Sequence, residues 1–158
     1  MSDLMTQRDL ARRLEQTQVT ERPGGVTGFD TFYATGTYVP TYLGGTTAGA
    51  TTYTTQFGAW TRIGNVVIAT GTVVWTASTG TGNAQFSLPF TTANVTDQFF
   101  SGGCRTVNVT FTNSAPQVRF VNNSAFFILE SPLTNAASAI VQMEAAGNVI
   151  FTVTYFVA

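Results

Sequence analysis

The feature that most constrains this chain is a period-two alternation of apolar and small polar residues, repeated in segments separated by turn signals. In 66–76, Val67, Ala69, Gly71, Val73 and Trp75 point one way, and Val66, Ile68, Thr70, Thr72 and Val74 the other. The last segment repeats the pattern, with Val149, Phe151, Val153, Tyr155 and Val157 alternating against Ile150, Thr152, Thr154 and Phe156. Successive side chains of a strand fall on opposite faces, so such segments can bury one face of a sheet and wet the other. Strands are expected over 31–39, 51–56, 59–63, 66–76, 84–88, 104–112, 117–121, 125–130, 139–144 and 148–157. Gly64-Asn65 is a two-residue hairpin signal between the third and fourth of these. A second hairpin is expected across Asn122-Asn123-Ser124, with Pro132 stopping its second strand, and a third pairs 139–144 with 148–157 across Ala145–Gly147. That density of strands fits an all-β, jelly-roll-like antiparallel β-sandwich.

Composition supports this reading and adds a constraint on surface. Charged residues make up 9% of the chain, against about 25% in ordinary soluble domains. Thr takes their place, with 29 copies. It is β-branched, so it suits strands, and its hydroxyl keeps an outer face wet. A body with few charges to keep copies apart is expected to hide surface in an oligomer.

What charge exists is concentrated at the start. Arg8, Arg12, Arg13, Arg22, Asp3, Asp9, Glu15 and Glu21 all precede Pro23. Thr6 is placed as an N-cap, Met5 and Leu10 as a hydrophobic staple, and Leu10, Ala11 and Leu14 as a narrow apolar stripe. A helix over about 7–17 follows. It is too short to be stable alone, because nucleation costs more than so few turns return, so it must dock on its own body, on its copies in an oligomer or on another protein. Pro23-Gly24-Gly25 ends it. Residues 1–25 therefore read as a short N-terminal α-helical arm with its linker, and 26–158 as the β-sandwich knob. The arm's contact residues are expected to be Leu4, Met5, Arg8, Leu10, Arg12, Arg13 and Leu14.

Several chemistries are excluded by residue type. The chain has neither His nor Lys, which removes Ser-His-Asp and Cys-His catalysis, the usual zinc sites, and Schiff-base and P-loop chemistry. Its one cysteine, Cys104, permits no intrachain disulfide and no Cys-based zinc centre. Beyond Pro23 the acids are Asp30, Asp97, Glu130 and Glu144. A glycosidase-like carboxylate pair is the one enzyme class they allow. Glu130 and Glu144 both end expected strands beside turns, where a solvated carboxylate is ordinary, so no catalytic site, metal or cofactor is expected. A net charge of −1 supplies no basic field for nucleic acid. No apolar run reaches the ~18 residues of a membrane span, and the N-terminus has no secretory core. Aromatics remain. Trp60 and Trp75 are candidates for stacking on a sugar ring, although core or subunit interface is the more ordinary place for both.

One stretch carries a resemblance. Gly36-Thr37-Tyr38-Val39-Pro40 leads to Tyr53, Gln56, Gly58, Trp60, Arg62-Ile63-Gly64-Asn65, Val67, Gly71 and Leu88-Pro89-Phe90. This resembles a β-rich module found in tail fibres and other virion structural proteins of bacteriophages. The resemblance implies a trimeric β-knob, a place on the particle surface and no catalysis. Such modules usually terminate a long protein. A chain that is only the module plus an arm of some 25 residues resembles a small capsid decoration or cement protein instead. The expectation is a homotrimer made in the host cytoplasm and carried on the virion, anchored by its arm to the major capsid protein and stabilising the shell. The alternative is a short tail fibre or spike that recognises host-surface glycans.

Overall fold

A computed structural model of the chain describes residues 32–95, 100–112, 114–133 and 135–158. The expected helix, the boundary at residue 25 and the contact residues Leu4, Met5, Arg8, Leu10, Arg12, Arg13 and Leu14 lie outside these. The described residues form ten strands: β1 (Tyr33–Tyr38), β2 (Tyr42–Gly44), β3 (Thr51–Ile63), β4 (Val66–Ser78), β5 (Ala84–Ser87), β6 (Ser101–Val107), β7 (Gln117–Phe120), β8 (Phe126–Leu133), β9 (Ala136–Ile140) and β10 (Gly147–Phe156). The expectation of an all-β antiparallel fold holds: every ladder among them is antiparallel.

The ladders join these strands into a single sheet, in the order β1-β3-β4-β10-β6-β7-β8-β5-β2, with β9 added to β8. A sandwich would divide its ladders between two sheets; here one sheet curls until its halves face each other. The seam between β2 and β3 is closed by side chains. The Tyr53 hydroxyl accepts the Tyr42 N–H (2.8 Å) and donates to the Tyr42 carbonyl (3.1 Å). The Thr51 hydroxyl donates to the same carbonyl, and Gln56 Nε2 donates to the Pro40 carbonyl at 2.9 Å. A backbone edge that would otherwise be left open is thereby satisfied.

The alternation read from sequence decides which face is inside. Val67, Ala69, Val73 and Trp75 of β4, and Val149, Phe151, Val153 and Tyr155 of β10, are all buried. They meet aromatics from the opposite half of the sheet. Tyr42 packs on Trp75 with ring centroids 4.1 Å apart, Phe127 on Phe151 at 4.8 Å, and Phe120 on Tyr155 at 5.4 Å. Phe86 stacks on Phe127 at 5.3 Å in the middle. Gly71 is required here: a Cβ at that position would meet the Phe151 ring.

Four expectations are corrected. First, 51–56 and 59–63 are one strand, because Gly58 does not break it. Gly58 lies beneath the Tyr38 ring, where a side chain would collide, and the irregularity falls instead at a bulge around Tyr53. Second, β6 ends at Val107 and not Thr112, because Asn108 turns into the left-handed region (φ 55°). Third, Pro132 does not stop β8; it sits at a register shift between Ser131 and Leu133, a place where a missing N–H is tolerated. Fourth, 139–144 does not form a hairpin with the last strand. β10 lies between β4 and β6, while β9 pairs with β8. After β9 the chain bridges inward strands, with Val141 N–H donating to Leu129 and the Val141 carbonyl accepting from Ala84. The Gly64-Asn65 hairpin and the 117–130 hairpin form as expected, and Gly64 supplies the positive φ (61°) at the first turn position.

Two substitutions probe this core. Phe151→Ala is expected to lower stability by about 3–5 kcal/mol through the cavity it leaves. Gly71→Ala is expected to cost about 1–3 kcal/mol by overpacking the same ring. Urea denaturation checks both, read as a fall in midpoint at constant m-value.

Candidate functional site at Glu144

Trp75 takes the ordinary place weighed for it. It is 2% exposed, so its ring offers no face to a sugar, and its indole N–H is already used. Trp60 is half-buried, with Phe90 edge-on at 4.7 Å and Gly36 directly over its indole. The other residues of the resemblance are engaged in the same way. Tyr38 covers Gly58, Tyr53 and Gln56 close the seam, and Arg62 donates to the Gly64 carbonyl at 2.7 Å while lying over Phe90.

The feature missed by sequence reasoning is the role of Glu144. Tyr42 and Trp75 are buried side by side, and each carries a polar tip that must find a partner. Both tips find the same residue. The Glu144 N–H donates to the Tyr42 hydroxyl at 2.7 Å, and Trp75 Nε1 donates to the Glu144 carbonyl at 2.9 Å. Its side chain turns outward and accepts the Thr110 N–H on Oε1 at 3.1 Å. The backbone of one residue is thus held from inside the core while its carboxylate holds the turn after β6. No local signal announces this, because Tyr42 lies 102 positions away and Trp75 69.

The carboxylate borders a groove of about 230 Å³. Its lining includes Thr110, Phe111 and Thr112 from the turn after β6, Ser131 from β8, and Gln142 and Glu144 from the segment after β9. Phe111 is 38% exposed. Gln142 spends its Nε2 on the Asn83 side chain and the Ile140 carbonyl. Glu130, the other carboxylate in the described residues, does not line the groove; it pairs with Arg119 at 3.7 Å. Asp30 and Asp97 lie outside the described residues. Among the described residues no three His, Cys, Asp or Glu side chains cluster as metal ligands, and no helix is long and apolar enough to cross a membrane. The thiol of Cys104 donates to the Pro116 carbonyl at 3.2 Å, and burial pushes its pKa up.

A second surface is the outer face of β1, β3, β4, β10 and β6. The registers set residues side by side across it: Phe57, Thr72, Ile150 and Arg105 in one row, Thr61, Ile68 and Thr154 in another, and Tyr33, Ile63, Val66 and Phe156 in a third. Phe57 (57%), Ile68 (40%) and Ile150 (39%) are exposed there. Arg105 is the one charge in these rows.

Burial raises the pKa of Tyr42 from 10.0 to about 12, partly offset by the bond from the Glu144 N–H, and burial also raises those of Tyr38 and Tyr155. Folded tyrosines then keep their protons where unfolded ones lose them, so stability is fully present below the unfolded pKa and is lost as pH rises from there through the raised folded pKa. The denaturation midpoint is expected to stay flat up to about pH 8, to fall slightly as the unfolded Cys104 thiol ionises, and to fall more steeply beyond about pH 10 as the tyrosines follow. Tyr42→Phe is expected to cost about 1–3 kcal/mol at neutral pH by leaving the Glu144 N–H unpaired and to make the alkaline fall shallower. Urea titrations of both proteins across that pH range check this.

No protein-family profile matches the chain, and no curated protein matches it. Among solved structures, it is similar to the crystal structure of the Dettilon tailspike protein, with a TM-score of 0.59 and 18% identity. The match covers 78% of this chain and 24% of that one. At that identity the likeness is one of fold: the chain has the architecture of about a quarter of a tailspike.

Proposed function

We propose that this chain is a non-enzymatic structural protein of the bacteriophage virion surface, assembled as a homotrimer through its body. The observation that carries the reading is the fold shared with part of a phage tailspike. It agrees with the independent resemblance of residues 36–90 to phage tail-fibre and virion modules. The outer face described above supports self-association, since rows of Thr, Phe and Ile with a single Arg give copies little reason to repel one another. The tailspike likeness favours a place in the tail, where the body would meet host-surface glycans.

A second reading is favoured by the first 22 residues. Their charges and the stripe Leu10, Ala11 and Leu14 suit an arm that docks on the major capsid protein, with the chain serving as a decoration or cement protein. Arms repeated on three copies would add up by avidity.

Two measurements test these readings. Light scattering on the purified protein is expected to give three chains of 16.9 kDa per particle, and a monomer at micromolar concentration would sink the trimer. Immunogold labelling of phage particles is expected to mark the tail tip. Label over the shell, abolished by deleting residues 1–25, would establish the decoration reading instead, and unlabelled virions would overturn both.

A further inference from the structure

We infer that the groove at Glu144 binds one ring of a neutral, hydroxyl-rich sugar, with Phe111 stacking on the ring and Glu144 and Gln142 accepting its hydroxyl protons. This deepens the proposed function, and rests on it for the expectation that the body faces a host envelope. The chemistry comes from the groove's own residues. Glu144 uses Oε1 for the Thr110 N–H, and its Oε2 takes no partner among the described residues. Gln142 uses its Nε2, and its carbonyl oxygen takes no partner among them either. Two lining residues two positions apart, Gln142 and Glu144, therefore each bring an acceptor, one of them charged. A sugar ring answers with donors, since every hydroxyl can give a proton. Beside these acceptors lies an exposed aromatic ring, Phe111, which suits the apolar C–H face of a pyranose.

Other ligand classes fit less well. Among the described residues no Arg lines the groove, so a phosphate, uronate or sialate would meet a carboxylate with no countercharge from them. One carboxylate without a second falls short of the oxygen set a calcium ion needs. At about 230 Å³ the groove is below the roughly 300 Å³ of the smallest drug-sized sites, which suits a single ring better than a peptide. The acceptors are also held in place before any ligand arrives. Tyr42 and Trp75 fix the Glu144 peptide from the core and the Thr110 N–H fixes its carboxylate. A site held in this way loses little entropy on binding.

Saturation-transfer NMR on the full chain, with glucose, galactose, mannose, rhamnose and N-acetylglucosamine against glucuronate as the anionic probe, tests the assignment. At least one neutral sugar is expected to bind and glucuronate is not. Glu144→Gln, which keeps an acceptor for Thr110 but removes the charge, is expected to weaken that binding about tenfold, as the loss of a charge-assisted hydrogen bond would. Phe111→Ala is expected to act similarly, and Gln142→Ala serves if Glu144→Gln fails to fold. No neutral sugar bound, preference for glucuronate, or binding indifferent to these variants overturns the assignment. The outcome is separable from virion location. A chain that labels virions yet binds no neutral sugar loses only the groove, whereas one that binds through Glu144 and is absent from virions keeps the groove and loses the particle.

Discussion

Two polar atoms in an aromatic core organise much of this fold. Tyr42 and Trp75 lie with ring centroids 4.1 Å apart at the end of a column that continues through Phe86, Phe127 and Phe151. Burying such rings is favourable, but a buried hydroxyl or indole N–H without a partner costs a large fraction of that gain. The peptide of Glu144 supplies both partners. Once it is held there, the segment before β10 cannot fold back as a hairpin with it, and the segment runs inward between β5 and β8. The turn after β6 is drawn to the same residue through Thr110, which fits with β6 ending at Val107. Core satisfaction, the course of the segment before β10 and the placing of Glu144 in the groove thus meet at one pair of hydrogen bonds.

The same sheet solves a different problem on its other side. Curling one sheet leaves a convex face that no second layer of the described residues covers. Polar residues could keep that face wet with charges, yet this chain uses Thr. Thr70, Thr72, Thr152 and Thr154 alternate with the core residues of β4 and β10. Their methyls and stiff χ1 favour the extended backbone, and their hydroxyls can be hydrated or paired at little cost. The face is therefore compatible with water and with a like surface.

How legible this was depends on the range of the interactions. The inward sets of β4 and β10 could be read directly, because alternation is a local property of consecutive residues. The hairpin at Gly64-Asn65 could be read for the same reason. Gly58 misled, since a glycine in a strand signals either a break or a close approach, and only the Tyr38 ring above it decides between them. The alternation of 104–112 continued on paper past the point where Asn108 leaves the strand. Glu144 looked like a carboxylate beside a turn, which it is, but its partners come from β2, β4 and the turn after β6. The inward direction of Trp75 was visible in its own strand, and with it the case against a sugar-binding role.

The residues that carry the phage-module resemblance have a common property. Gly36 and Gly58 make room for Trp60 and Tyr38, Tyr53 and Gln56 close the seam, Arg62 holds the β3–β4 turn, and Gly71 seats Phe151. Each of these has its contacts inside the fold, so this part of the pattern specifies an architecture, while Val39 and Ile63 of the same stretch stay exposed. A chain can share that architecture with part of a tailspike at 18% identity without sharing what either one recognises, because fold and site are separable. Recognition must then be sought where side chains remain uncommitted. In this protein those positions include 111, 142 and 144, outside the resemblance, on irregular segments that the aromatic core anchors.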